Sequence, residues 1–376
     1  MKLAAVIVVI AAGVAHAQSL RGTVVATRAH WSGDAIVTEA DVRAADGTIT
    51  TAIQLGGVVE GIGMTFSHVP ALVRTGDAVE VRGEAKRTVT GAVRWAVSDV
   101  VHLAAAAPGT AGYGIQRTSI SGRPLYRDSG CIHVVYDATT ITPEAATTLD
   151  EAFGAWTTAT ASCGGLAITR GYEPNVPTAS DGLTSVHVRT DTWCRPATAT
   201  TPELCYPPSA VAVTRLVFTD NAFDPDDGKI IEADMDINEV GFQLLLPTDP
   251  IPPAPTKPVL FLRAVTTHEF GHLIGLAHDC GTGTEPWPTD LDGTAVAPCD
   301  AAPEPIQAST MFYAVGAFDD GPSTLSPDDV AGACAIAAQL TCSDDTTAGC
   351  RASSPSSAWP ACVLVGVLVR RRRRRA

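Results

Sequence analysis

Residues 268–279 read HEFGHLIGLAHD and gather three of the chain's nine histidines, with one glutamate, into twelve positions. Residues four apart lie on the same face of a helix. His268 and His272 therefore point the same way, one turn apart, and can hold one metal ion through two ring nitrogens. Zinc suits imidazole and keeps a fourth, exchangeable position for water, whose pKa it lowers to about 7. Glu269, beside His268, can take the proton of that water and return it to a leaving amine, so it is expected as a base and not as a ligand. Two histidines leave such a site one protein ligand short. Gly275 can adopt backbone angles closed to other residues. A turn there would end the helix and bring His278 in as the third ligand. Asp279 follows and could orient a ligand histidine.

The elements that would carry these residues divide the chain in two. Residues 18–108 show short alternating or apolar stretches, among them GTVVATRAHW and VRWAVSDVVHL, separated by turn signals at Ser32-Gly33-Asp34, Asp46-Gly47 and Gly56-Gly57. A small all-β barrel or sandwich is expected. His30, His68 and His102 lie here without metal-like spacing and read as surface or core residues. Residues 109–126 read as a linker. In residues 127–340, CIHVVYD (131–137), LTSVHVRT (183–190) and AVAVTRLVFT (210–219) read as strands, as does KIIEADMDIN (229–238). Thr142-Pro143 starts a helix running to about Ala159, with Thr142 as N-cap. A second helix spans 259–277, and a last one follows Leu325. Strands and helices mix without a strict βαβ alternation, which makes the fold class α+β, a mixed sheet with helices packed beside it.

Charge and cysteine content narrow the setting. The 376 residues carry a net charge of −14. The two ends, 1–17 and 350–376, hold eight of the 26 basic residues and no acidic ones, so the body between them stands at 18 − 40, or −22. Such a body repels phosphate backbones, which excludes nucleic acid as a natural partner. Lys2, the apolar run Leu3–Val14 and Ala15-His16-Ala17 read as a signal peptide, 1–17, with Gln18 as the mature start. Ten cysteines agree with an oxidising destination. Proximity suggests the pairs Cys131–Cys163, Cys194–Cys205, Cys280–Cys299 and Cys334–Cys342, although sequence does not fix connectivity. Asp220, Asp224, Asp226, Asp227, Asp234 and Asp236 crowd one loop and the strand after it, and form a candidate calcium set. Residues 341–376 read as a linker and tail. Cys350, an apolar run CVLVGVLV too short to span a bilayer and Arg370–Arg375 follow one another there. The tail resembles the C-terminal sorting tags of myxobacterial surface proteins. That implies transient membrane contact and removal of the tail, with Cys350 as the processed or lipidated residue, and a protein secreted or retained at the outer surface of a Gram-negative cell.

The pattern H-E-x-x-H-x-x-G-x-x-H over His268–His278 resembles that of the metzincin zinc peptidases, and within them the matrixin-like branch, across roughly residues 127–340. The resemblance implies a zinc-dependent endopeptidase acting on protein or peptide substrates. Its fold would be a twisted mixed sheet with packed helices and zinc in the cleft, on His268, His272 and His278 with Glu269 as general base. It also implies a methionine turn at Ser309–Tyr313 with Met311 beneath the zinc. A final helix over 325–336 would follow, with Asp328 and Asp329 supporting that turn. Calcium is frequent in the family.

The chain also departs from the family. No cysteine lies between residues 18 and 130, so the propeptide cysteine of animal matrixins is missing, and the β domain is left as a folding aid, a docking module or another latency device. Ala314-Val315-Gly316 lacks the proline usual after the turn. His187 with Asp191 is only suggestive of a structural zinc pair, and His187 reads better as a strand residue. Two other functions remain open to the sequence: a catalytically inert surface binding protein on the same scaffold, and an enzyme for a non-protein amide. Oligomeric state is not legible.

Overall fold

In a computed structural model of the chain, residues 18–70, 72–102, 109–282, 287–337, 340 and 342 are described. The signal peptide reading and the tail with Cys350 lie outside them. β1 (Gln18–Ser32) turns through Gly33, at φ 65°, into β2 (Ala35–Arg43), which pairs with β3 (Ile49–Leu55). The chain then makes a hairpin, β4 (Gly57–Val59) and β5 (Ile62–Phe66), before β6 (Ala78–Arg87) and β7 (Val93–His102). Five of these strands close a barrel in the order β1-β2-β3-β7-β6, with β3 and β7 parallel. Closure leaves no unpaired edge. Small β-branched and alanine side chains fill the interior, including Val24, Ala40, Val42, Val79, Val81 and Val100.

The barrel is one of the two β architectures expected from the sequence, and not all strands of residues 18–108 belong to it. The β4–β5 hairpin leaves the barrel and joins the sheet of the second half. Gly56 and Gly57, at φ 95° and 141°, let the chain turn out of β3, and the Thr38 hydroxyl donates to the Gly56 carbonyl at 2.8 Å. Ile36, Ile53, Met64 and Phe66 share one apolar cluster with Trp193, Tyr206, Val213 and Val217. Apolar burial therefore ties the two halves together, and the described residues up to Cys342 form one compact unit. The segment 109–126 is no free linker either. Its strand β8 (Gly114–Ile115) is paired in the second half, Leu125 is fully buried, and Tyr126 bridges to Lys229.

The second half begins with β9 (Cys131–Asp137) and α1 (Pro143–Thr160). Thr142 caps α1, its hydroxyl accepting from the Ala145 N–H at 3.2 Å, and Pro143 opens the first turn. Ala146, Leu149, Ala152, Phe153 and Trp156 form the buried face of the helix. Then come β10 (Ala167–Glu173), β11 (Thr184–Arg189), the short β12 (Cys194–Arg195) and β13 (Leu204–Cys205), β14 (Ala212–Thr219) and β15 (Ile230–Asn238). The sheet runs β10-β9-β11-β15-β14-β5-β4, with β10, β9, β11 and β15 parallel and β14 antiparallel. After β16 (Gln243–Leu245) and β17 (Val259–Phe261) comes α2 (Leu262–Ile274), and β18 (Leu276–Ala277) pairs with β8. The helix expected over 259–277 is thus trimmed at both ends, by pairing of β17 and by Gly275. α4 (Pro327–Ala337) is the last helix among the described residues and follows the single-turn α3 (Glu304–Gln307). Helices packed beside a mixed sheet make the class α+β, as expected.

Four disulfides form, two of them not those suggested by proximity. Cys194–Cys205 and Cys280–Cys299 pair as expected. Cys131 instead joins Cys342, and Cys163 joins Cys334. The reason is tertiary: α4 returns along α1, which sets the end of α1 beside Cys334 and the start of β9 beside Cys342.

Candidate metal centre

α2 is buried almost all round, between the sheet and α1, so its polar residues need internal partners. His268 Nδ1 lies 2.6 Å from the Thr310 carbonyl, and His272 Nδ1 lies 2.9 Å from the Leu276 carbonyl. A carbonyl only accepts, so both Nδ1 atoms carry the proton and both Nε2 atoms present a bare lone pair. Those Nε2 atoms stand 3.1 Å apart, and His278 Nε2 stands 3.3 Å from that of His272. Facing lone pairs at this distance repel unless a cation lies between them. A proton is a poor candidate, since burial lowers all three imidazoles, His272 to about 3. A tetrahedral ion with bonds of about 2.0–2.1 Å would hold its ligand nitrogens roughly 3.3 Å apart. The three residues therefore fit a zinc ion.

Gly275 supplies the turn that the sequence required of it. At φ 112° it ends α2, and its N–H reaches the Gly271 and His272 carbonyls. His278 then follows β18 into the site.

Glu269 is 1% exposed and accepts a hydrogen bond from the Thr214 hydroxyl on β14 at 2.6 Å and from Ser67 at 3.1 Å, both on Oε2. Burial pushes its carboxyl up, but the imidazoles of His68, His272 and His268 outweigh burial and hold it below the ordinary carboxylate range. It is ionised.

Beneath the histidines, Met311 is buried against Gly271 and Trp156. The Asp329 carboxylate accepts from the Thr310, Met311 and Ser326 N–H groups at 2.9, 3.0 and 2.7 Å. It thus fixes the Met311 turn and the start of α4 together. Its neighbour does not share this role: Asp328 packs over Gly112, away from the turn. Asp279 orients no histidine, contrary to the expectation. Its carboxylate takes the Ser309 hydroxyl, its N–H donates to the Met311 carbonyl at 3.2 Å, and burial pushes it up to about 8.

The candidate calcium set is not brought together. Asp220 accepts from the Ser119 and Ile120 N–H groups, and Asp227 from Asn221 N–H and the Ser121 hydroxyl. Asp234 pairs with Arg215 and Ser185, Asp236 with Arg189, and Asp224 caps its own loop at the Asp226 N–H. Among the described residues these carboxylates form no metal-sized cluster. The buried members, Asp220, Asp227, Asp234 and Asp236, thus have hydrogen-bond donors or cationic partners of the chain's own. His187 is a buried strand residue between Ser185 and Asp137, and Asp191 is exposed on a loop apart from it.

One residue of the site was read as surface or core. His68, two residues past β5, brings its ring to 4.7–5.4 Å from those of His268, His272 and His278. The four histidines form the one described cluster of imidazoles with metal-ligand geometry. No spacing in the sequence marks His68, which lies 200 positions before His268. A cleft of about 1040 Å³ runs past this cluster between the barrel and α2, lined by Ser67, His268, Glu269, Trp287 and Val315 among others. No protein-family model matches the chain. No curated protein is similar to it in sequence.

Proposed function

We propose that this chain is an exported zinc endopeptidase of the metzincin type, nearest the matrixin-like branch, with protein or peptide as substrate. The observation that carries the reading is the convergence of three imidazole Nε2 atoms, from His268, His272 and His278, beside the buried carboxylate of Glu269. The Met311 turn under α2 and the four disulfides, which suit an exported chain, support it further.

Zinc held by the three histidines would supply a Lewis acid and an acidified water. The remaining work falls to the chain's own residues. Glu269 takes a proton at Oε1 and returns it to the leaving nitrogen, while Thr214 fixes Oε2 and so the direction of Oε1. β14 runs beside the site, paired with β15 on one edge and with β5 on the other, so an extended peptide could add to it only in place of β5. Glu269 itself is almost wholly buried at the wall of the cleft.

The test measures bound zinc and casein cleavage by the purified chain after brief nicking with a quenched protease, beside Glu269→Ala. About one zinc per chain, with cleavage reduced a hundredfold or more in Glu269→Ala while zinc is retained, supports the roles. Zinc without cleavage by either protein would favour an inert binding protein, a reading to which the hairpin lying along β14 lends some support. A folded sample with no zinc removes the proposal.

A further inference from the structure

We infer that His68 is a fourth ligand of the metal centre, delivered by the barrel's β4–β5 hairpin, which also occupies the peptide-binding edge and holds the chain latent. The inference rests on the metal-centre reading above and extends it to a residue some 200 positions away.

Three independent contacts carry it. First, His68 Nε2 is buried and lies 3.0 Å from Glu269 Oε1, within ion-pair distance, and neither atom makes a hydrogen bond. The His68 nitrogen belongs to the same cluster as those of His268, His272 and His278. A structural zinc site closes with four such ligands, whereas a catalytic one keeps a position for water.

Second, the hairpin takes the place a peptide would need. β5 pairs antiparallel with β14, from Thr219↔Ile62 to Arg215↔Phe66, and the pairing continues as the Ser67 N–H donates to the Thr214 carbonyl at 2.9 Å. An extended substrate that added to this edge would compete for the same backbone groups. Gly63 permits the close approach, since a side chain there would overlap the Phe218 ring. Third, Ser67 donates to Glu269 Oε2 and accepts from the Thr214 N–H at 2.7 Å, so the base is engaged as well.

The hairpin is held in place by burial and not by the metal contact alone. Met64 and Phe66 are buried in the cluster shared with the second half. His68 itself sits at φ 55°, a left-handed conformation that a non-glycine residue keeps only where its surroundings impose it. The residue is therefore aimed at the centre by the barrel. Release would require the hairpin to leave β14, which opens the fourth position, the edge and Glu269 in one movement.

Cobalt in place of zinc makes the inference testable without reference to activity. In the full chain loaded with cobalt, the visible spectrum should stay constant across neutral pH and on addition of acetohydroxamate. In His68→Ala the same additions should change it, because water and hydroxamate then reach the metal. In His68→Cys a thiolate-to-cobalt charge-transfer band should appear, which requires side chain 68 to be bonded to the metal. Casein cleavage by His68→Ala should exceed that of the unmodified chain on the order of tenfold or more, given the high local concentration of a tethered ligand. A folded, cobalt-loaded His68→Cys protein without the band overturns the inference, as does equal response to hydroxamate in the unmodified and His68→Ala proteins. The expected spectra with no cleavage by any variant would uphold His68 as a ligand and defeat the peptidase reading. Failure of the folded chain to take up cobalt or zinc would defeat both.

Discussion

The thioether of Met311 packs directly against Gly271, inside the helical turn that carries His268 and His272, and a Cβ on Gly271 would overlap the sulfur. The contact explains a glycine in mid-helix, where it is otherwise unfavourable. Two effects compete in Gly271→Ala. Alanine favours the helix by about 0.8–1.0 kcal/mol. Overpacking against Met311 and Trp156 costs about 1–3 kcal/mol. Overpacking should win, because Trp156 is fully buried and tied to the Thr267 carbonyl at 2.8 Å, and cannot retreat. Thermal unfolding of Gly271→Ala should occur at a lower temperature, with weaker zinc retention against a chelator. A rise in unfolding temperature would mean that the contact is loose.

Asp329 accepts three backbone N–H groups that have no other acceptor assigned to them, from Thr310, Met311 and Ser326. Each buried donor left without a partner costs about 1–3 kcal/mol. Asp329→Ala should therefore lose ~3 kcal/mol or more in urea unfolding, and should loosen zinc by freeing the turn whose Thr310 carbonyl orients His268. Asp329→Asn keeps one acceptor oxygen and should fall between. Equal stability of Asp329→Ala and the unmodified chain would remove Asp329 from its bracing role.

The neighbouring carboxyl behaves differently. Asp328 is pushed up to about 7 from an ordinary 3.8, by burial first and by the Asp329 charge second, and its Oδ2 has no hydrogen-bond partner. The folded chain thus binds this proton more tightly than the unfolded chain. The stabilisation it gives is full below pH 3.8 and is lost as pH rises through about 7. Chelator-treated protein should lose stability between about pH 4 and pH 7 for this reason, and Asp328→Asn should flatten that decline. An unchanged slope in Asp328→Asn would assign the decline to other groups.

Non-reduced peptide mapping should recover the links Cys131–Cys342 and Cys163–Cys334, not Cys131–Cys163. Removing the second link in Cys163→Ser with Cys334→Ser should cost about 2–5 kcal/mol, since the bridge staples α1 to α4. Recovery of a Cys131–Cys163 peptide would contradict the packing of α4 along α1.

The sequence by itself determined what depends on a few consecutive residues. The i, i+4 geometry of a helix places His268 and His272 together, and Gly275 permits the reversal that returns His278. Thr142 and Pro143 start α1, and alternation marks most strands of both halves. These signals are local, because backbone geometry and capping act within a turn or two. Tertiary structure alone decided the rest. It placed His68 and Ser67 on Glu269 across some 200 residues, carried β4 and β5 out of the barrel onto β14, and crossed two of the disulfides. It also divided Asp328 from Asp329 and gave the buried aspartates Asp220, Asp227, Asp234 and Asp236 partners of the chain's own. Each of these is set by which surfaces meet when the apolar faces of barrel, sheet and helices are buried together, and no spacing along the chain records which surface meets which.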